Sequence, residues 1–126
     1  MTSDAMRFEL TQRFHFEAAH SLSRDYEADP SRRIHGHTYR AEVTVTGPLD
    51  ERSGMVVDLA LLRTAIERTR LELDHRMLDD VQSLGPATLE NLCAFIARRM
   101  ASDDWRLVRI DVSREASGDS CRLIVG

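Results

Sequence analysis

Three histidines carry the chemistry this sequence is best equipped to do. His35 and His37 stand two residues apart, and His20 precedes them by a short connection. On one β-strand, imidazoles two residues apart project to the same side with Cα atoms roughly 6.5 Å apart. From there both can reach one metal ion at about 2.0 to 2.1 Å. His20 closes one alternating run and His35 opens another, so antiparallel pairing of the two runs brings all three rings to one end of a sheet. Three nitrogen ligands, with a position left for water or substrate, form the pattern of a catalytic rather than a structural Zn2+ site. Gly36, between two of the ligands, lets a ligand or backbone approach closely.

The elements that must position these rings follow from periodicity. From Phe8 to His20 the even positions include Phe8, Leu10, Phe14, Phe16, Ala18 and His20, while the odd ones carry Glu9, Arg13, His15 and Glu17. A period of two predicts a half-buried strand, with His15 on its outer face. From His35 to Val45 the odd residues Tyr39, Ala41, Val43 and Val45 give a second strand. Leu59, Leu62, Ile66 and Leu73 fall at helical spacing behind Asp58, a natural N-cap. After the Gly85-Pro86 breaker, Thr88 caps a second helix with the stripe Leu89, Leu92, Cys93, Ile96 and Met100, ending near Ser102. Residues Leu107 to Val112 and Cys121 to Val125 read as a closing hairpin turned at Ser117-Gly118-Asp119. The expectation is an α+β fold of order ββααββ: a four-stranded antiparallel sheet with two helices on one face. Its two open edges call for pairing or cover, so a homo-oligomer is expected.

At 126 residues the chain suits one domain spanning residues 1–126. With 21 acidic against 17 basic residues the net charge is −4, which argues against a broad grip on nucleic acid. The N-terminus lacks a signal-type apolar run, and no stretch approaches the roughly 20 apolar residues that span a bilayer. A soluble cytoplasmic protein is the default expectation. The two cysteines, Cys93 and Cys121, lack C-x-x-C spacing and are expected as free thiols.

Several segments occur together in a recognisable order: Phe14-His15-Phe16-Glu17-Ala18-Ala19-His20, His35-Gly36-His37-Thr38-Tyr39, Leu73-Asp74-His75, Thr88-Leu89-Glu90-Asn91, and Glu115. In order and spacing the chain resembles the 6-pyruvoyltetrahydropterin synthase and 6-carboxytetrahydropterin synthase family over nearly its whole length. The resemblance implies a T-fold whose subunits join their sheets into a β-barrel, trimers stacking as hexamers with active sites at subunit interfaces. It also implies a small-molecule pterin substrate. The bacterial branch converts 7,8-dihydroneopterin triphosphate to 6-carboxytetrahydropterin on the way to queuosine, releasing acetaldehyde and triphosphate, whereas the other branch yields 6-pyruvoyltetrahydropterin.

The resemblance also implies residue roles that make chemical sense. Glu115 is the expected pterin anchor, because a carboxylate accepts two parallel N–H donors in a bidentate fork, with Thr88 and Glu90 assisting at a helix start. Asp74 and His75 fit a proton relay, a histidine near neutrality oriented by a carboxylate. Arg24, Arg32 and Arg33 flank the metal site and could hold the triphosphate. The family's catalytic cysteine precedes the His-Gly-His motif, and here Ser31 occupies that position, four residues before His35. A hydroxyl is far less acidic than a thiol of pKa about 8.5, so Ser31 is a weak base without help.

Other readings stay open. One is a folate-bypass lyase using a carboxylate base, Asp29 or Glu27; another is a pterin-binding relative without turnover. A cupin-like metal enzyme is the most remote, because Glu42 falls on the opposite strand face from His35 and His37.

Overall fold

The computed structural model describes residues 6–126; the first five residues of the expected domain lie outside it. Strand β1 (Glu9–His20) pairs antiparallel with β2 (His35–Thr46) in unbroken register, Glu9 opposite Thr46 through to His20 opposite His35. Between them a five-residue helix, α1 (Ala28–Arg32), occupies the connection. Helix α2 (Leu59–Leu73) follows, then a two-residue strand β3 (Arg76–Met77), a 3₁₀ turn (Leu78–Asp80) and helix α3 (Leu89–Arg99). Strands β4 (Arg106–Arg114) and β5 (Asp119–Ile124) close the chain. The sheet order is β3-β1-β2-β4-β5.

The four long strands and two main helices follow the sequence pattern, and the sheet differs from it at one edge. There β3 lies parallel to β1, pairing Ala18 with Arg76 and Ala19 with Met77, which makes the sheet five-stranded and mixed. Two residues are too few to show a period. Backbone bonds hold this edge instead: His75 donates its N–H to the Glu17 carbonyl at 2.6 Å.

Both caps act as expected, Asp58 accepting from the Ala60 N–H at 2.9 Å and Thr88 from the Asn91 N–H at 3.1 Å. Helix α2 packs on β1, and α3 on β4 and β5. Their buried residues Leu62, Ile66, Leu92, Phe95 and Ile96 meet Phe14, Phe16, Tyr39, Val43, Ile110 and Val112 from the sheet. Each such side chain contributes about 1.5–3 kcal/mol by leaving water. Phe16 and Tyr39 stack across β1 and β2 with centroids 4.8 Å apart, directly beneath the histidine end of the sheet.

The other sheet face is charged. Arg13 pairs there with Glu42, Arg109 with Glu9, and Arg122 with Asp111. His15 is exposed on this face, as strand parity requires. Cys93 and Cys121 are both free. No helix among the described residues is long and apolar enough to cross a membrane.

Candidate metal centre

The register that sets His20 opposite His35 and Ala18 opposite His37 gathers three imidazoles at the end of β1 and the start of β2. His20 Nε2 lies 3.0 Å from His35 Nε2 and 3.0 Å from His37 Nε2. The rings stand nearly edge to face, at interplanar angles of 70°, 82° and 88°. One ligand atom from each lies within 4.8 Å of the others, so the three residues could hold a metal ion.

Hydrogen bonding fixes the tautomers of two rings. His20 Nδ1 is 2.9 Å from the Ala87 carbonyl and His35 Nδ1 is 2.7 Å from the Arg33 carbonyl. A carbonyl only accepts, so both Nδ1 atoms carry the proton and both Nε2 atoms present bare lone pairs. Bare lone pairs facing each other at 3.0 Å repel, and a cation between them removes the repulsion. Tetrahedral bonds of about 2.05 Å would separate ligand nitrogens by roughly 3.3 Å, close to the spacing here. Burial, then the Arg114 guanidinium, pushes the His37 pKa down to about 4, and burial lowers that of His20. Neutral imidazole is the metal-binding form.

The remaining expected site residues fall around this tripod in separate groups. Asp74 caps the end of α2: its Oδ1 accepts the Glu17 N–H at 2.9 Å, and its Oδ2 lies 3.0 Å from His75 Nδ1 and 2.7 Å from Arg70 Nη1. His75 is exposed and adopts a left-handed backbone (φ 58°), and it lines a groove with Gly36, His37 and Thr38. Non-glycine residues pay for that conformation, and the Glu17 backbone bonds on both sides hold it. Glu115 follows β4 and pairs with Arg40 at 2.8 Å, lining a cavity of about 330 Å³ with His15, His37 and Arg114. Thr88 lines a different cavity with Ser21, Arg24 and Asp79, and Glu90 is exposed on the first turn of α3. One chain therefore does not bring Glu115 together with Thr88.

Ser31 is buried on α1, where its carbonyl accepts the Leu22 N–H at 2.7 Å. Arg24 is engaged with Glu27 and Arg32 with Asp29, so these guanidiniums and both candidate carboxylates are paired with one another. Glu42 binds Arg13 on the far face, away from the histidines.

The sequence reading missed Arg114. Its Nη1 lies 3.5 Å from His37 Nε2, and its Nη2 is 3.0 Å from Asp119 Oδ2. Parity offered the signal: Arg114 follows Ile110 and Val112 by steps of two, on the buried face. The expected strand stopped at Val112, and the real one runs two residues further.

Comparison with known proteins places this geometry in context. Residues 9–123 match the family model described as 6-pyruvoyl tetrahydropterin synthase. The chain is 39% identical over 119 residues to 6-pyruvoyl tetrahydrobiopterin synthase of Drosophila melanogaster, covering 83% of this chain and 66% of that protein. It is 29% identical over 110 residues to dihydroneopterin monophosphate aldolase of Pyrococcus furiosus, covering 85% and 90%. The structure of Caenorhabditis elegans 6-pyruvoyl tetrahydropterin synthase superposes with a TM-score of 0.80 at 23% identity, over 96% of this chain and 97% of that one, which shows the T-fold. The chain spans only 48% and 36% of the length of two further curated relatives.

Proposed function

The chain belongs to the 6-pyruvoyl tetrahydropterin synthase family, and from that premise we propose that it is a Zn2+-dependent lyase acting on the side chain of 7,8-dihydroneopterin triphosphate or a related dihydropterin, as 6-carboxytetrahydropterin synthase does. The observation that carries this reading is the tripod: three Nε2 atoms converge while carbonyls hold two of the Nδ1 protons. Neutral imidazoles in a three-nitrogen set suit zinc. When bound, the ion supplies Lewis acidity to the substrate's hydroxyl or carbonyl oxygens.

The chain's own residues divide the remaining work. Asp74 accepts the His75 Nδ1 proton, which leaves His75 Nε2 free at an exposed position to take or give a proton. Ser31 stands where a thiol would act, and its hydroxyl is too weakly acidic to match one. The Asp74–His75 pair therefore carries the proton transfer, with Ser31 a hydrogen-bonding group beside the reacting side chain. Glu115 anchors the pterin through its amino group and neighbouring N–H, and Thr88 and Glu90 assist. Because Glu115 and Thr88 line separate cavities of one chain, a complete site needs a second subunit. Exposed Ile124 on the β5 edge supports the same homo-oligomeric assembly, a trimer or hexamer. All 126 residues form one domain in this reading, working in the cytoplasm.

Incubation of the metal-loaded protein with 7,8-dihydroneopterin triphosphate tests it: 6-carboxytetrahydropterin, acetaldehyde and triphosphate are expected. Tight binding without any product would replace the enzyme with a pterin binder. Ser31→Cys should raise acetaldehyde release at least tenfold.

Ser31, together with the aldolase relative matched over 90% of its length, favours a second reading. Retro-aldol cleavage of the bond between the first two side-chain carbons needs a proton removed from a hydroxyl and no thiol. Dihydroneopterin monophosphate would then give a hydroxymethyl dihydropterin and glycolaldehyde phosphate, which product analysis separates from the first outcome.

A further inference from the structure

The surroundings of His37 hold more hydrogen-bond donors than acceptors. Arg114 Nη1 points at His37 Nε2 from 3.5 Å, and Nη2 is held by Asp119 Oδ2 at 3.0 Å. Ser117 Oγ donates to that same carboxylate oxygen at 2.9 Å, fixing the tether. Arg114 Nε and the Tyr39 hydroxyl are both buried without a hydrogen-bond partner, and the Tyr39 ring centroid is 5.6 Å from that of His37. Buried polar atoms in native proteins are nearly always satisfied; even with a neighbouring Arg114 N–H offered to the Tyr39 oxygen, the Tyr39 O–H still lacks an acceptor.

Charge points the same way. A guanidinium stays protonated at any working pH. Among the described residues its carboxylate partner is Asp119, which engages Nη2 and not the Nη1 that faces His37. The lone pair that Arg114 Nη1 faces is the one a metal would take, so metal binding leaves that N–H seeking another acceptor beside a divalent cation. Two neighbouring positive centres are stabilised by an anion that touches both.

We propose that Arg114, with the Tyr39 hydroxyl beside it, makes the open side of the His20–His35–His37 tripod a subsite for an oxyanion of the ligand, a carboxylate or phosphate oxygen. The proposal rests on the metal-binding reading and adds a specificity-determining residue to it. Asp119 is the positioning residue that aims the guanidinium.

The full chain loaded with Co2+, whose visible absorption reports its ligands, provides the test. Acetate and inorganic phosphate are titrated separately into the parent, Arg114→Gln and Asp119→Asn proteins, with cobalt content measured in each. The parent is expected to bind at least one of the two anions, and the preferred one identifies carboxylate or phosphate as the source. Arg114→Gln should raise that dissociation constant at least tenfold and Asp119→Asn at least threefold, while cobalt affinity in Arg114→Gln is unchanged or tighter. A structural lesion would weaken metal and anion together. Parental anion affinity in both variants, or no spectral response of the cobalt-loaded parent to either anion, overturns the subsite alone. Failure of the parent to take up cobalt overturns the metal reading beneath it. Should Arg114→Gln fail to fold, Asp119→Asn decides.

Discussion

His20 and Ala87 are joined by a 2.9 Å hydrogen bond from ring Nδ1 to backbone carbonyl, spanning 67 positions of sequence. The bond ties the end of β1 to the residue before the N-cap of α3, so docking of that helix sets the orientation of a metal-site ring. Carbonyl partners of this kind hold ligating histidines in one tautomer and are as much a part of a site as its ligands.

Alanine at His20, His35 or His37 should reduce bound zinc to a trace, measured by elemental analysis of purified protein. Among the three, His20→Ala should also cost about 1–3 kcal/mol of stability in urea, because His20 is 1% exposed and its loss strands the buried Ala87 carbonyl. Full metal retention in all three variants would falsify the ligand assignment.

Glu115→Gln should weaken pterin binding about tenfold or more, the usual worth of a charge-assisted hydrogen bond, with metal content unchanged. Calorimetry with a non-reactive pterin reads both arms. Parental affinity in the variant removes the anchor role.

The Asp74 carboxyl is held below the usual carboxylate range, chiefly by the Glu17 backbone N–H, with His75 and Arg70 adding to it. Its proton is bound less readily in the folded protein than in the unfolded chain. The resulting stabilisation is complete above the unfolded value of about 3.9 and disappears as pH falls through the lower folded value. Asp74→Asn should therefore be less stable than the parent at pH 7, and the gap should narrow as the pH falls below about 3.9, the unfolded value. A gap in urea midpoint that does not change with pH would assign the effect to packing instead.

Burial pushes the Cys93 thiol up to about 12. At pH 8 only about one molecule in ten thousand then carries the reactive thiolate. Iodoacetamide should leave Cys93 unmodified in the native protein and label it fully in denaturant, as read by peptide mass spectrometry. Labelling of Cys93 within minutes under native conditions would contradict its packing against Ile110 and Cys121.

Much of this molecule is legible in its residues, for a physical reason. The histidines sit on strands of 12 residues each, long enough for a period of two to declare which side chains share a face. Asp58 and Thr88 announce their helices because an orphan N–H needs an acceptor at that spot. Helix α1 and strand β3 were not legible, since five and two residues carry no periodicity and both depend on backbone partners supplied from elsewhere, Leu22 and Glu17. Arg114 lay hidden because an arginine reads as a solvated strand end until the Asp119 tether and the nearness of His37 are seen. The pairing of Glu115 with Arg40 was likewise beyond reach, joining the turn after β4 to β2, whose adjacency no local pattern states.

The unbroken pairing of β1 with β2 has one more consequence. A slip of a single residue would swing His35 and His37 to the far side of the sheet and leave His20 facing Gly36 or Ile34. Only the native alignment assembles the chelate, so an ion captured during refolding would act as a proofreader, rewarding the one arrangement of the two longest strands in which it can be held.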